Sequence, residues 1–224
     1  MRAIWLIALS LSGAAPAAST SKVSKDAPVC AAPGTIPIFL SPMGEPFRAK
    51  PGEPYPSASW FAQADRDHDG AVSRDEMVAD AMRFFARLDL NHDGRLTPDE
   101  VAAYERDVAP ETSLFTARPD DFYDRKPQRH EEGAMGRSED YGGAMGAGRY
   151  AWINIPEPVA AADQDIDRVV TREEFATAAV GIFERLDILN RAQLRLADLP
   201  RTPQQIAIEG PCRAPKMRKG QEGK

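Results

Sequence analysis

The stretch from Trp60 to Glu100 constrains the fold more than any other, because it holds one pattern twice. The first copy is Asp65-x-Asp67-x-Asp69-Gly70-x-x-Ser73-x-x-Glu76, and the second is Asp89-x-Asn91-x-Asp93-Gly94-x-x-Thr97-x-x-Glu100. Alternating acidic or amide side chains before a glycine let a curled backbone turn several oxygens toward one centre. The glycine takes the sharp turn, where a side chain would be costly. Asp65 and Asp89 are 24 positions apart, and only the twelve residues from Met77 to Leu88 separate the two patterns. That is too few for an exit helix, a linker and a new entering helix. The spacing therefore predicts one continuous helix in both roles, with Met77, Ala81, Phe84, Phe85 and Leu88 on its buried side.

An all-oxygen set closed by a glutamate suits a hard cation, and calcium takes about six to eight oxygens at flexible geometry. These residues closely resemble the calcium loops of the EF-hand family. The resemblance implies that calcium is held in loop one by Asp65, Asp67, Asp69, the Ala71 carbonyl, Ser73 and Glu76, with Ser73 often acting through water and Glu76 giving both oxygens. In loop two it implies Asp89, Asn91, Asp93, the Arg95 carbonyl, Thr97 and Glu100. An acidic surface turn without metal could arise once by chance. Two complete copies, with Val72 and Leu96 at matching eighth positions, argue against that.

The pattern then returns. Asp163 and Asp187 each lie 98 positions after Asp65 and Asp89, and Ile182 to Asp187 echoes Phe84 to Asp89, so the two-loop unit is duplicated. Loop three offers Asp163, Asp165, Asp167, the Val169 carbonyl, Thr171 and Glu174. Arg168 replaces its turn glycine, at a cost on the order of 1–2 kcal/mol, and Pro156 and Pro158 cut its entering helix short. Weaker calcium binding is expected there. Loop four, Asp187 to Asp198, has Leu189 and Arg191 where oxygens are needed. It is expected to bind no metal, to pair with loop three and to complete a core through Leu194 and Leu199. A two-stranded contact between Val72 and Leu96 would join loops one and two, although the shared helix disfavours it.

The expected architecture is all-α and EF-hand-like, with shared central helices in two helix-loop-helix pairs at 57–108 and 156–200 and long irregular connections between them. Residues 1–17 read as a secretory signal peptide, with an apolar core too short to span a bilayer. Cys30 and Cys212 then fit one disulfide in an oxidising compartment. The proline-rich stretch 18–56 is expected to be coil with one extended run from Ile36 to Leu40, packing through Phe39, Phe47 and Tyr55, and Ser57 to cap the first helix. Residues 109–155 read as a glycine-rich, charged linker that docks in part, and 201–224 as a basic tail.

A net charge of −6 gives no reason to expect nucleic acid. His68, His92 and His130 are scattered and the two cysteines distant, so neither zinc spacing nor a catalytic constellation appears, and an enzyme is not expected. The export signal and loop spacing look bacterial, which places the mature chain in the periplasm or outside the cell, with no transmembrane segment. Two roles differ in kind. Calcium either switches helix angles to expose an apolar groove to a protein partner, or it staples the structure or is merely buffered.

Overall fold

The structure, a computed structural model, describes residues 23–112 and 138–215. The expected signal peptide, His130 and the end of the basic tail from Lys216 lie outside them.

Helix α1 (Ser57–Ala64) enters loop one, and α2 (Arg74–Leu88) leaves it and runs straight into loop two. The expected shared helix is thus present, burying Met77, Ala81, Phe84, Phe85 and Leu88. Pro98 opens the exit helix α3 (Pro98–Ala103), where its missing N–H costs nothing. A π-helical turn, Tyr104–Val108, follows. In the second unit a short turn, Ala160–Ala162, replaces the entering helix, as the prolines predict, and α4 (Arg172–Leu186) joins loops three and four. Ser57 is the first helical residue of α1 rather than its cap; Pro56 occupies the cap position without a side-chain bond.

Helices α2 and α4 pack antiparallel at the centre. Arg74, at the start of α2, pairs with Glu184 near the end of α4 at 3.1 Å and lies 6.0 Å over the Phe183 ring. Arg172, at the start of α4, lies 5.7 Å over the Phe85 ring. Residues 74 and 172, like 85 and 183, are separated by the 98-residue repeat, so this is one contact made twice about a pseudo-twofold axis. Phe85 and Phe175 meet edge to face between the helices, 5.5 Å apart.

The same axis dictates how the loops pair, and here the expectations fail. Strand β3 (Val72–Ser73) of loop one pairs with β6 (Gln193–Leu194) of loop four, Val72 opposite Leu194. Strand β4 (Arg95–Leu96) of loop two pairs with β5 (Val170–Thr171) of loop three, Leu96 opposite Val170. Loop four therefore does not pair with loop three, nor loop one with loop two. The reason is length: a 15-residue helix spans roughly 22 Å, so α2 holds its two loops at opposite ends. Each loop can reach only a loop of the other unit. The four eighth-position side chains, Val72, Leu96, Val170 and Leu194, are all buried in one common core.

The all-α description also needs correction. Besides the loop strands, β1 (Ile38–Leu40) and β2 (Pro46–Arg48) form an antiparallel hairpin, Phe39 opposite Phe47; β1 lies in the run expected to be extended, β2 where coil was expected. Phe39 and Tyr55 do pack inward and Phe47 is partly buried. Phe39 stacks with Trp60 and Trp152 at 6.0 and 4.7 Å, so the hairpin, α1 and the segment before Ile155 share one aromatic cluster. The hairpin turn also carries Glu45, only 4% exposed, whose carboxylate accepts from Arg83, Arg87 and Gln63. Asp80, at 8%, accepts from Trp60 Nε1 at 2.8 Å and from Arg83 and Gln63. Buried charges persist only when paired in this way. Asp80 is a polar member of a helix face that the periodicity marks as apolar.

Of the expected linker, residues 113–137 lie outside the described residues, and residues 138–155 pack on the core through Ala147, Tyr150 and Trp152. Tyr150 and Ala147 are buried, and the Leu40 amide donates to the Tyr150 carbonyl at 3.0 Å. Just beyond, burial pushes the Glu157 carboxyl up to about 7; the Ala160 and Val159 amides oppose the shift and Glu105 adds to it. Stability contributed by this group is therefore lost as the pH rises from 4.5 through about 7. Glu157→Gln is expected to be more stable than the parent at pH 8, by on the order of 2 kcal/mol. Thermal melts without calcium should show that gap closing at acid pH.

Candidate metal centres

Each loop is shaped before any side chain reaches inward. The fourth positions, His68, His92, Ile166 and Asn190, all have φ between 50° and 63°. The sixth positions follow at 83° for Gly70, 81° for Gly94, 72° for Arg168 and 56° for Ala192. Loops three and four thus hold the same backbone as loops one and two with side chains where glycine is unstrained. His68 and His92 point to solvent, and both are exposed.

The first aspartate anchors the turn. Asp65 accepts from the amides of Asp69 and Gly70 at 3.1 and 3.0 Å. Asp89 does so from Asp93 and Gly94, and Asp163 from Asp167 and Arg168. The last four residues form a capping box. Glu76 accepts from the amide and hydroxyl of Ser73 at 2.8 Å, and the Glu76 amide donates back to Ser73 Oγ. Its other oxygen takes the Arg66 amide at 2.8 Å, closing the loop from last position to second. Glu100 repeats this with Thr97 and Leu90, and Glu174 with Thr171 and Gln164. The ninth-to-twelfth spacing of the motif is thus the spacing of a helix start.

Burial pushes the Glu76 and Glu100 carboxyls up, but the bonds from Ser73 and Thr97, with those from the second- and third-position amides, outweigh it and hold both below the ordinary carboxylate range. Glu174 is lowered chiefly by the Thr171 amide and hydroxyl. All three are anions at neutral pH.

Oxygens of Asp65, Asp67 and Glu76 lie within 4.8 Å of one another, and so do those of Asp163, Asp165 and Glu174. One ion bound at about 2.3–2.6 Å to each oxygen spans such a set, so the gathered donors fit calcium in type and spread. Asp69 and Asp167 fall outside these trios, each accepting from the amide two residues on. In loop two the third-position carboxylate is replaced by Asn91, whose amide donates to Asp93 at 3.0 Å, leaving Asp89, Asp93 and Glu100 as the charged donors. Ala71, Arg95 and Val169 hold the seventh positions, at the edges of the short strands. Three carboxylates are therefore gathered in loop one and three in loop three, and the loops are combined in a way the motif does not reveal: loops two and three at one end of the α2–α4 pair, loops one and four at the other.

The positive φ at Arg168 gives a direct expectation. Arg168→Gly should stabilise the fold by about 1 kcal/mol and tighten calcium at loop three by roughly fivefold. Melting and calorimetry against the parent measure both; an unchanged melting point contradicts the strain argument.

Loop four has taken another course. Asp187 still accepts from the Arg191 and Ala192 amides at 2.9 and 2.8 Å. Arg191, where an oxygen ligand would stand, reaches across to Asp198 at the last position, 3.0 Å away. The sequence shows Arg191 only as a missing ligand; its opposite charge to the twelfth-position Asp198 was the available clue.

The backbone, the capping boxes and the carboxylates gathered in loops one and three fit helix-loop-helix units whose loops could hold a metal ion. Comparison with known families gives the class: residues 58–79 and 82–103 each match the family described as EF hand, which places an EF-hand pair there. No curated protein and no solved structure shows a significant match to the chain. Among the described residues no helix is long and apolar enough to cross a membrane.

Proposed function

We propose that this is an exported calcium-binding protein in which calcium occupies loops one, two and three and governs contact with a protein partner. The bound ion would be held by the side chains of Asp65, Asp67, Asp69, Ser73 and Glu76, by those of Asp89, Asn91, Asp93, Thr97 and Glu100, and by those of Asp163, Asp165, Asp167, Thr171 and Glu174, with the Ala71, Arg95 and Val169 carbonyls. Calcium binding is the general property of EF-hand loops and agrees with the carboxylate trios of loops one and three. Export is supported by the disulfide between Cys30 and Cys212, a bond that persists in oxidising compartments.

The observation that carries the partner reading is a groove of about 310 Å³ between α3 and loop three. Val101, Ala102, Ala160 and Val170 give it an apolar floor, and Asp163 and Arg168 of loop three form part of its wall. Metal occupancy and groove shape thus depend on shared residues. The test is an apolar dye added to the full chain with and without calcium. Enhanced dye binding on adding calcium supports the switch. A rise in melting temperature with no change in dye binding would favour a structural or buffering role.

A further inference from the structure

We propose that Arg191 serves as a tethered cation that keeps loop four closed without metal, so that the two ends of the molecule respond unequally to calcium. This rests on the reading of loops one to three as calcium sites, but its first consequence is visible with no calcium present.

At ligand positions the two ends differ by one carboxylate and by the Arg191–Asp198 ion pair. At one end, loops two and three, joined through β4 and β5, carry the carboxylates of Asp89, Asp93, Glu100, Asp163, Asp165, Asp167 and Glu174, with Arg95 and Arg168 exposed to solvent on the same loops. With no cation these groups repel, and closing both loops at once costs free energy. At the other end, loop one carries Asp65, Asp67, Asp69 and Glu76, but its partner differs. Loop four keeps only Asp187 and Asp198 at ligand positions, and the Arg191 guanidinium bridges the fifth position to the twelfth. It keeps the Asp187 bonds to the Arg191 and Ala192 amides that the metal loops make to theirs. A loop with its own cation has no repulsion to relieve, and β6 stands ready as a template for β3 of loop one.

Arg191 is thus a positioning residue for a site it does not touch. Without calcium, the Val72–Leu194 strand pair should be formed and the Leu96–Val170 pair loosened. Calcium then mainly orders the loop-two and loop-three end, which is the end that carries the groove. Loop one binds to a backbone already held in place.

Amide hydrogen exchange on the full chain in chelator, then in saturating calcium, tests this. Protection at the Val72–Leu194 pair should exceed that at the Leu96–Val170 pair at least about tenfold in chelator, and calcium should raise mainly the second. Arg191→Ala should lower metal-free protection at the first pair only and weaken calcium at loop one by about two- to fivefold, the range of a half-exposed ion pair. Arg191→Lys should restore most of both, and Arg195→Ala, an exposed arginine of the same loop, should change neither. Equal protection at the two pairs in chelator, or equal losses at both ends in Arg191→Ala, overturns the proposal. A parent that binds no calcium yet shows the unequal protection overturns the calcium reading instead and leaves the tethered cation standing.

Discussion

Glutamine in place of Glu76 is expected to weaken calcium binding at loop one by at least about tenfold, or ~1.4 kcal/mol. The substitution removes one negative charge and leaves a single acceptor oxygen where the carboxylate offers two. Both Glu76 oxygens already have defined places, one against Ser73 and one against the Arg66 amide, so the side chain needs no reordering before it meets an ion. Glutamine keeps the capping geometry through its carbonyl oxygen, and α2 should start where it does now. The loss is therefore read in affinity rather than in folding. Glu100→Gln should do the same at loop two, with one difference. Loop two shares its strand with loop three, so the second variant should also weaken loop three, whereas Glu76→Gln should leave loops two and three alone. Calcium titration calorimetry on the parent and both variants separates these outcomes; variants that bind like the parent would remove the ligand assignments.

That difference is where the chain's sequence stops speaking. Within a loop nearly everything is legible, because ligand spacing, the turn and the capping box are local rules written over twelve consecutive residues. The shared helix is legible too, since the residues between Glu76 and Asp89 leave no room for two. What escapes is the partner of each loop. Pairing of neighbouring motifs is the natural first expectation, yet the length of α2 forbids it, and the 98-residue repeat supplies the alternative. Counting helix rise against loop position would have pointed there. The hairpin at Ile38–Arg48 escapes for another reason: its strands are three residues each, and their pairing depends on Glu45 and Phe39 finding α2, Trp60 and Trp152. Asp80 is hidden in the same way. Its burial makes sense only once Trp60 and Arg83 are known to surround it.

The pseudo-twofold also explains how a degenerate unit is kept. Loop four has Leu189 and Arg191 at two ligand positions, yet its Leu194 is buried opposite Val72 and its strand pairs with that of loop one. The second copy is thus free to lose ligands at positions 189 and 191 while its eighth position and its helix remain under packing constraint. Phe175, Ile182, Phe183 and Leu186 line α4 as Met77, Phe84, Phe85 and Leu88 line α2.

Removing the disulfide should cost the most stability of any single change outside the helical core. Cys30 and Cys212 close a loop with a sequence separation of 182, joining the two ends of the described chain. In the chain-entropy account a loop of that length restricts the unfolded ensemble by about 5 kcal/mol, with measured losses more often 2–4. A loss of about 3–5 kcal/mol corresponds to a melting point lowered by roughly 10 °C in a chain of this size. The native geometry at the bridge should survive. The Cys30 amide donates to the Arg213 carbonyl and the Arg213 amide to the Pro28 carbonyl, each at 2.9 Å, and the Ala31 amide reaches the Ala207 carbonyl of α5 (Pro203–Glu209). Those bonds hold the strap in the folded state whether or not the sulfurs are joined, so the change acts on the unfolded state. The segment around Cys30 lies against α5, which in turn holds the hairpin through Gln204 and Ile38 and holds Tyr55 through Thr202. Calcium affinity should therefore stay close to the parent's while the melting point falls. Reductant added to the parent should reproduce the melting point of the Cys30→Ser, Cys212→Ser double variant, and reductant added to the variant should do nothing. A parent whose melting point ignores reductant would mean that the bridge does not restrain the unfolded chain.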